Sequence, residues 1–277
     1  MAKINALSIL LEDDGKDFLN ELYAEVIDSV QKSCVSDMIK NKDLSGDPKT
    51  GAVEAKKFAN AVSAEYGSAR SSGKGDSLKA KSVTVSIDCD REIVEEIGEK
   101  DILLYGVDGL LENRAKNHRR SMVRELERAF FAKAAEEAAE FTPDGEEDAE
   151  ILEELIQELE TTRNDYVDGV DRDMISVIAA PAVYGKIRSW LDTIHNASVD
   201  SSKAEFSVFH GVKVFPSVYL PAGVKMLAMM DGAVAQPVLP RPYAAEKIPL
   251  SEAYAVSLFY YYGVEAVMPE VIFKISE

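Results

Sequence analysis

The chain has 277 residues and a formal net charge of −18, from 31 Lys and Arg against 49 Asp and Glu. Its hydrophobic fraction of 46% excludes a disordered chain, and no apolar run approaches the length of a membrane span. The acidic balance argues against tight or sequence-specific binding of nucleic acid through its phosphates. Two cysteines are too few for a disulfide framework and indicate a reducing cytoplasm.

The first predicted element is an amphipathic helix over residues 14–34. Its apolar residues recur at helical spacing, and polar residues fill the gaps between them. These apolar residues are Phe18, Leu19, Leu22, Tyr23, Val26, Ile27 and Val30. A loop rich in Gly, Pro and Asp follows at residues 41–51.

Residues 52–90 predict two strands joined by a long loop. Residues 82–90 alternate apolar and polar side chains, which is typical of a half-buried strand, whereas residues 52–66 fit either a helix or a strand. The stretch between them, YGSARSSGKGDSLKAK (66–81), is rich in Gly, Ser and Lys. Because an isolated two-stranded hairpin is marginally stable in water, we expect this one to rest on another chain.

The same stretch lacks the pattern of a phosphate-binding loop. Five residues separate Gly67 from Gly73, and Gly75 rather than Ser or Thr follows Lys74. A strand rather than a helix comes next, so no helix N-terminus would meet the phosphates. We therefore predict no nucleotide site here.

The longest helical signal covers residues 107–141. One stripe repeats at helical spacing and consists of Leu111, Ala115, His118, Met122, Leu126, Phe130 and Ala134. The other faces carry Arg114, Arg119, Arg120, Arg124 and Arg128. At 1.5 Å per residue such a helix is roughly 45–50 Å long, which suits a strut better than a compact core.

The rest of the chain mixes helices and strands without regular alternation, which predicts an α+β class. Thr142 and Pro143 are expected to begin a second helix as its cap and first residue. The further predicted elements are a helix at 146–163, a buried strand at 175–181, a helix at 182–194, and β segments at 205–240 and 245–275.

Charge is distributed unevenly along the chain. Residues 136–160 carry twelve Asp or Glu and no Lys or Arg. Residues 67–85 carry Arg70, Lys74, Lys79 and Lys81 against Asp76 alone. Opposite patches of this kind favour contact between copies of one protein, the alternative being two independently solvated surfaces.

No catalytic or metal-binding set is evident. His118, His195 and His210 have no partner at metal-ligand spacing, and we expect His118 to pack within its helix stripe. The acidic run at 136–160 favours a solvated helix face over a cation site. We predict no cofactor, no metal and no enzymatic activity.

The order of these parts resembles the major capsid proteins of tailed bacteriophages, whose fold, named after phage Hong Kong ninety-seven, is shared with encapsulins. Five stretches in the right order carry the resemblance. They are GSARSSGKGDSLKAKSVTVSIDCDREIVEEI (67–97), LLENRAKNHRRSMVRELERAFF (110–131), ISVIAAPAVYGKI (175–187), FHGVKVFPSVYLPAGVKMLAMMDGAVA (209–235) and YYGVEAVMPEVIFKI (261–275).

The resemblance implies a domain organisation and favours a strand at 52–66. The implied parts are an N-terminal arm (1–50), an extended β-hairpin loop (51–98), a peripheral domain with a spine helix (99–143), an axial domain (144–243) and return strands of the peripheral domain (244–277). Some family members form covalent cross-links between subunits from this loop. Lys74 lies there, but no Asn or catalytic Glu partner is identifiable, and we predict no cross-link.

The resemblance also implies a function. The protein would be the structural major capsid protein of a tailed bacteriophage, forming hexamers and pentamers of an icosahedral head around double-stranded DNA. It would work with a separate scaffolding protein, a portal protein and, in some shells, a decoration protein. It would reside in the virion, and in the host cytoplasm during assembly, without contact with a membrane.

In this family the extended loop lies across the neighbouring subunit. We therefore expect its basic residues to meet an acidic face there. The basic residues are Arg70, Lys74, Lys79 and Lys81, and the candidate acidic face is Glu146, Glu147, Glu150, Glu153 and Glu154. Two alternatives remain: an encapsulin-type compartment shell, which the helix at 14–34 keeps open, and a soluble enzyme with an acidic metal site.

Overall fold

The computed structural model describes residues 7–61, 63, 65–67, 79–193 and 208–276. The helices are α1 (Asp13–Ser33), α2 (Val35–Ile39), α3 (Glu99–Glu137), α4 (Asp148–Thr161) and α5 (Pro181–Thr193), with 3₁₀ turns at Leu7–Leu11, Pro48–Thr50, Arg172–Met174 and Pro269–Val271. The strands are β1 (Leu44–Ser45), β2 (Ala52–Phe58), β3 (Ala80–Ser86), β4 (Cys89–Ile97), β5 (Ala139–Glu140), β6 (Ile175–Ala179), β7 (Val208–Phe209), β8 (Val212–Pro216), β9 (Val224–Met230), β10 (Val234–Ala235), β11 (Val238–Pro240), β12 (Ala244–Lys247), β13 (Tyr254–Tyr262), β14 (Glu265–Ala266) and β15 (Ile272–Ser276). The predicted α+β class is confirmed.

The strands of the described residues form four sheets. β1, β2 and β3 make a three-stranded antiparallel sheet, and β10 pairs with β14. The four-stranded sheet, which we call the peripheral sheet, consists of β4, β11, β12 and β13. Strand β13 pairs with β4 on one side and with β11 and β12 on the other. The six-stranded sheet has the order β5-β15-β9-β6-β8-β7.

The peripheral sheet packs against α1 and α3 through one face. Alternate residues of β13 are buried: Tyr254, Val256, Leu258, Tyr260 and Tyr262. They join one hydrophobic cluster with the apolar faces of both helices. The predicted amphipathic helix is confirmed as α1, and it buries Leu19, Leu22, Val26 and Val30 in this cluster.

Helix α3 is the predicted long helix, but it begins earlier and contains a kink. It starts at Glu99, where the Gly98 amide donates to the Asp101 carboxylate at 2.8 Å. Gly106 interrupts the helix with φ 76° and ψ 175°, a conformation that glycine adopts without a Cβ penalty. The segment beyond the kink is about 45 Å long at 1.5 Å per residue. Every member of the predicted apolar stripe is buried.

The second core lies between the six-stranded sheet and helices α4 and α5. All five residues of β6 are buried, as predicted for this strand. Helix α4 begins at Asp148 with Glu147 as its N-cap, so the prediction of a start at Thr142 is wrong. The Glu154 carboxylate accepts from the Asp144 and Gly145 amides at 2.9 and 3.2 Å, which folds the preceding loop back onto the helix.

Two strands lie in a different sheet from the strands next to them in the sequence. The predicted strand at 82–90 divides after Ser86, because β3 pairs with β2 whereas β4 pairs with β13. The strands of the segment 244–277, expected to return to the peripheral domain, lie in more than one sheet. β12 and β13 belong to the peripheral sheet, whereas β15 pairs with β9 and β5 of the six-stranded sheet.

Candidate inter-subunit surfaces

The hairpin of β2 and β3 rests on its own chain at the base. The two strands pair from Ala52↔Ser86 to Phe58↔Ala80. Near the base, Val53, Ala55 and Val85 are buried against Ala235 and Val267. The expectation that the hairpin rests on another chain is therefore wrong for this part, because β10 and the segment after β14 supply the apolar surface.

An ion pair with one buried partner, Lys57, fixes the hairpin beyond its base. Lys57 is 5% exposed, and its Nζ donates to the two Glu270 carboxylate oxygens at 2.9 and 3.1 Å. The same ammonium lies 4.5 Å from the centre of the Tyr166 ring. Burial raises the pKa of Glu270, but its hydrogen bonds and the charges of Lys57 and Lys81 together outweigh burial, and the pKa falls below its usual value. We call Lys57, Glu270 and Tyr166 the hairpin anchor.

The predicted basic residues of the loop are only partly described. Arg70 and Lys74 lie outside the described residues. Lys79 and Lys81 are exposed at the outer end of β3, and Lys81 lies opposite Lys57 in the strand register. Among the described residues, neither ammonium has a carboxylate within 4 Å, although the charge of Lys81 helps to lower the pKa of Glu270.

The predicted acidic residues lie together at the start of α4, but they are not equivalent. Glu146, Glu147 and Glu150 are exposed. Glu154 accepts a hydrogen bond from the Asp144 amide of the preceding loop. Glu153 accepts a hydrogen bond from Arg172 Nη2 at 2.6 Å, and its other carboxylate oxygen lies 3.0 Å from His210 Nδ1. Three of the five carboxylates therefore remain open to a partner.

Glu153 belongs to an internal ion network. Burial raises the pKa of Glu153, but the hydrogen bonds from Arg172 and His210 outweigh it and hold the pKa below its usual value. Arg172 Nε also donates to Glu160 at 2.7 Å. This network holds α4 against the turn before β6 and the tip of the β7–β8 hairpin, which is a structural role.

A second acidic surface, which was not predicted from the sequence, lies on β4. Arg91 and Glu95 point toward α3, where they contact Glu125 and Arg114. Since side chains alternate along a strand, Asp90, Glu92 and Glu96 lie on the opposite face. All three are exposed, as is Val94 between them. Residues 90–96 show no strict apolar–polar alternation, and the predicted strand ended at residue 90, so the sequence pattern did not reveal this surface.

His118 packs inside the α3 stripe, as predicted. It is 3% exposed, its Nδ1 lies 2.8 Å from the Tyr243 hydroxyl, and its Nε2 lies 3.1 Å from Glu95. Burial lowers the pKa of His118, and the Glu95 carboxylate offsets this only in part.

Neither a metal centre nor a membrane segment emerges from the described part of the chain. Within it, no group of three or more His, Cys, Asp or Glu side chains is placed to hold a metal ion. No helix there is both long and apolar enough to cross a bilayer.

Comparisons with known proteins identify the fold. No protein-family model matches the chain, and no curated protein matches its sequence. Among solved structures, one of Mycobacterium phage Che8 has a TM-score of 0.62 at 15% identity and covers 81% of this chain and 84% of that one. The capsid of cyanophage P-SCSP1u has a TM-score of 0.59 at 11% identity, with 85% of each chain covered.

A third solved structure extends the likeness beyond phages. A virus-like particle from Pyrococcus furiosus has a TM-score of 0.59 at 12% identity and covers 94% of this chain and 98% of that one. At these identities the likeness establishes the fold. The predicted capsid-type fold is therefore confirmed.

Proposed function

We propose that this chain is the structural major capsid protein of a tailed bacteriophage. It assembles as hexamers and pentamers into an icosahedral head that encloses double-stranded DNA. The observation that carries the proposal is the fold, which aligns with the phage structures over 81% and 85% of this chain. A likeness of that extent covers most of the chain, so it is not confined to one common substructure.

The arrangement of charged surfaces supports self-assembly. The hairpin anchor holds the hairpin at Lys57, while Lys79 and Lys81 are exposed on the paired strand and form no ion pair within 4 Å among the described residues. Exposed carboxylates lie elsewhere, at the start of α4 and on β4. A contact between two different surfaces of identical chains is heterologous, and such contacts close into rings when the rotation permits. Hexamers and pentamers are rings of this kind.

The same proposal specifies partners and location. The shell is built with a separate scaffolding protein and a portal protein, and it resides in the virion after assembly in the host cytoplasm. The protein acts as a building unit and needs no cofactor.

A compartment shell of the encapsulin type is the second candidate. It is favoured by one observation: the virus-like particle from Pyrococcus furiosus aligns over 94% of this chain, more than either phage structure. The contents of purified shells separate the two candidates. Double-stranded DNA supports the phage head, whereas a packaged protein supports the compartment.

Charge reversal of the loop tests the assembly contact. One variant replaces Arg70, Lys74, Lys79 and Lys81 with Glu. The control replaces Lys16, Lys32, Lys213 and Lys247, which are all exposed away from the acidic face, with Glu and gives the same net charge. Electron microscopy should show shells for the native and control proteins but not for the loop variant. Normal shells from the loop variant would contradict the proposed contact.

A further inference from the structure

Three arginines of α3 form a row that makes no ion pair within 4 Å with any described carboxylate, although the charge of Arg128 helps to lower the pKa of Glu125. Arg120, Arg124 and Arg128 are spaced four residues apart and are all exposed. At 1.5 Å rise per residue, neighbouring members of the row are about 6 Å apart along the helix. Among the described residues, no carboxylate lies within 4 Å of any of the three guanidinium groups. This is unusual in a chain whose net charge is −18, because carboxylates are abundant on the rest of the surface.

The row opens onto a groove of about 630 Å³. Arg120, Arg124, Asn117 and Ser121 line it from α3, and Tyr219 lies across from them. The Arg124 guanidinium lies 3.4 Å from the Ser121 hydroxyl. Arg128 extends the row past the groove, with its guanidinium 6.0 Å from the centre of the Tyr219 ring.

The one carboxylate in the groove does not cancel these charges. Glu95 accepts from Arg114 Nε at 2.7 Å and from Arg114 Nη2 in a bidentate pair, and His118 Nε2 lies 3.1 Å away. The hydrogen bond from Arg114 lowers the pKa of Glu95, although burial opposes it. The negative charge of Glu95 is therefore balanced by Arg114, and the charges of Arg120 and Arg124 remain uncompensated.

We propose that this groove binds the phosphodiester backbone of nucleic acid without reading its sequence. Guanidinium groups, an amide, a hydroxyl and a tyrosine are the groups that proteins use to contact phosphate oxygens. A row of cations at regular spacing suits a partner with repeating anionic charge better than a single carboxylate. Binding to the groove stands on this geometry alone. Its role as a contact with DNA inside the shell rests on the proposed function.

The expected affinity is weak for one subunit. Three arginines neutralise about three phosphates, so the logarithm of the binding constant should fall with the logarithm of salt concentration with a slope of about −2 to −3. The acidic remainder of the surface opposes binding through its long-range repulsion. Many subunits facing one DNA molecule would act together and compensate for this weakness.

Fluorescence anisotropy of a labelled, random-sequence DNA duplex with unassembled protein tests the proposal. The groove variant is Arg120→Gln with Arg124→Gln. The control is Arg163→Gln with Lys186→Gln, which removes two cationic side chains that are 79% and 71% exposed elsewhere. The native and control proteins should show the same salt slope. The groove variant should bind about tenfold more weakly at low salt, and its slope should lose about two units.

Three results overturn the proposal. The first is no DNA binding by the native protein at low salt, and the second is equal losses in the groove and control variants. The third is a groove variant that keeps DNA binding but no longer forms shells, which would show that the groove holds an acidic segment of a second copy instead. DNA binding is measured on unassembled protein, so the failure of the groove proposal can be distinguished from the failure of the proposed capsid function. A native protein that builds shells without binding DNA contradicts the groove proposal and leaves the capsid function standing.

Discussion

Removing the carboxylate of the hairpin anchor should loosen the hairpin from the body of the protein. Glu270→Gln leaves the Lys57 ammonium in place, 5% exposed and without its counter-charge. Lys57→Met is the milder change. The remaining Glu270 side chain is 43% exposed and stays solvated, while the methionine can still pack on Tyr166. The two members of one ion pair should therefore have unequal effects.

The expected magnitude follows from the burial of each partner. Breaking a fully buried pair costs about 3–5 kcal/mol, whereas an exposed pair contributes about 0–1 kcal/mol. Since Lys57 is buried and Glu270 is half exposed, Glu270→Gln should cost about 2 kcal/mol. For a chain of this length that corresponds to a fall in melting temperature of about 4 °C. Lys57→Met should cost about 1 kcal/mol or less.

Two measurements check this prediction: the melting temperature and amide hydrogen exchange of β2. Faster exchange in Ala52–Phe58 would locate the loss in the hairpin. The control is Asp168→Asn, because Arg163 and Asp168 form a pair whose side chains are 79% and 75% exposed. If Glu270→Gln is no more destabilising than this control and leaves exchange unchanged, the reasoning about the anchor is refuted.

The anchor should also depend on pH. The folded-state pKa of Glu270 is lowered from 4.5, so its contribution is present above about pH 4.5 and is lost as the pH falls through the folded value. The difference in stability between the native protein and Glu270→Gln should shrink over that range. A difference that stays constant down to strong acid would contradict this linkage.

Further predictions concern single substitutions at four positions. The pKa of His118 is lowered from 6.5 by burial, so the free energy of unfolding should fall as the pH drops below about 6.5. Urea unfolding of His118→Gln should show a weaker dependence of this free energy on pH. An unchanged dependence would contradict the prediction. A Cβ at Gly263 would lie 1.8 Å from the Ser86 carbonyl oxygen, so Gly263→Ala should cost about 2 kcal/mol or more. In contrast, Gly185→Ala meets nothing within 4 Å in a helix and should add about 0.5–1 kcal/mol. Burial raises the pKa of Glu127, which accepts from the Ser36 amide at 2.9 Å, so Glu127→Gln should be neutral or stabilising at neutral pH and Glu127→Ala should cost about 1–3 kcal/mol.

Periodicity was enough to find the elements whose burial depends on local pattern. The α1 helix, the seven-residue stripe of α3 and the buried strand β6 are all visible as apolar spacing in the sequence. The overall order of parts was sufficient to identify the fold by resemblance. These features depend on residues close together in the chain, which is why the sequence alone predicts them.

Features that depend on distant residues were not predictable in this way. Lys57 reads as a surface cation between Lys56 and Phe58, and only its contact with Glu270, 213 residues away, explains its burial. The turns of α3 before the kink at Gly106 were not predicted, because the helical pattern in the sequence begins at residue 107. Strand β15 pairs with β9 rather than with β13, a choice made by packing of the second core.

The acidic surfaces show the same limit. Composition located twelve carboxylates at residues 136–160, but it could not show that Glu153 and Glu154 are used within the subunit. It also passed over Asp90 and Glu92, whose common exposed face depends on the pairing of β4 with β13. A partner surface is thus defined by which charges the fold leaves unused.

Electron microscopy of the purified chain, alone and with the products of neighbouring genes, tests the central claim most directly. The account predicts closed shells or capsomer-like rings, and double-stranded DNA within shells made in the presence of the packaging machinery. A uniform monomer under every condition, including with a scaffolding protein present, would contradict the claim that this fold builds a shell.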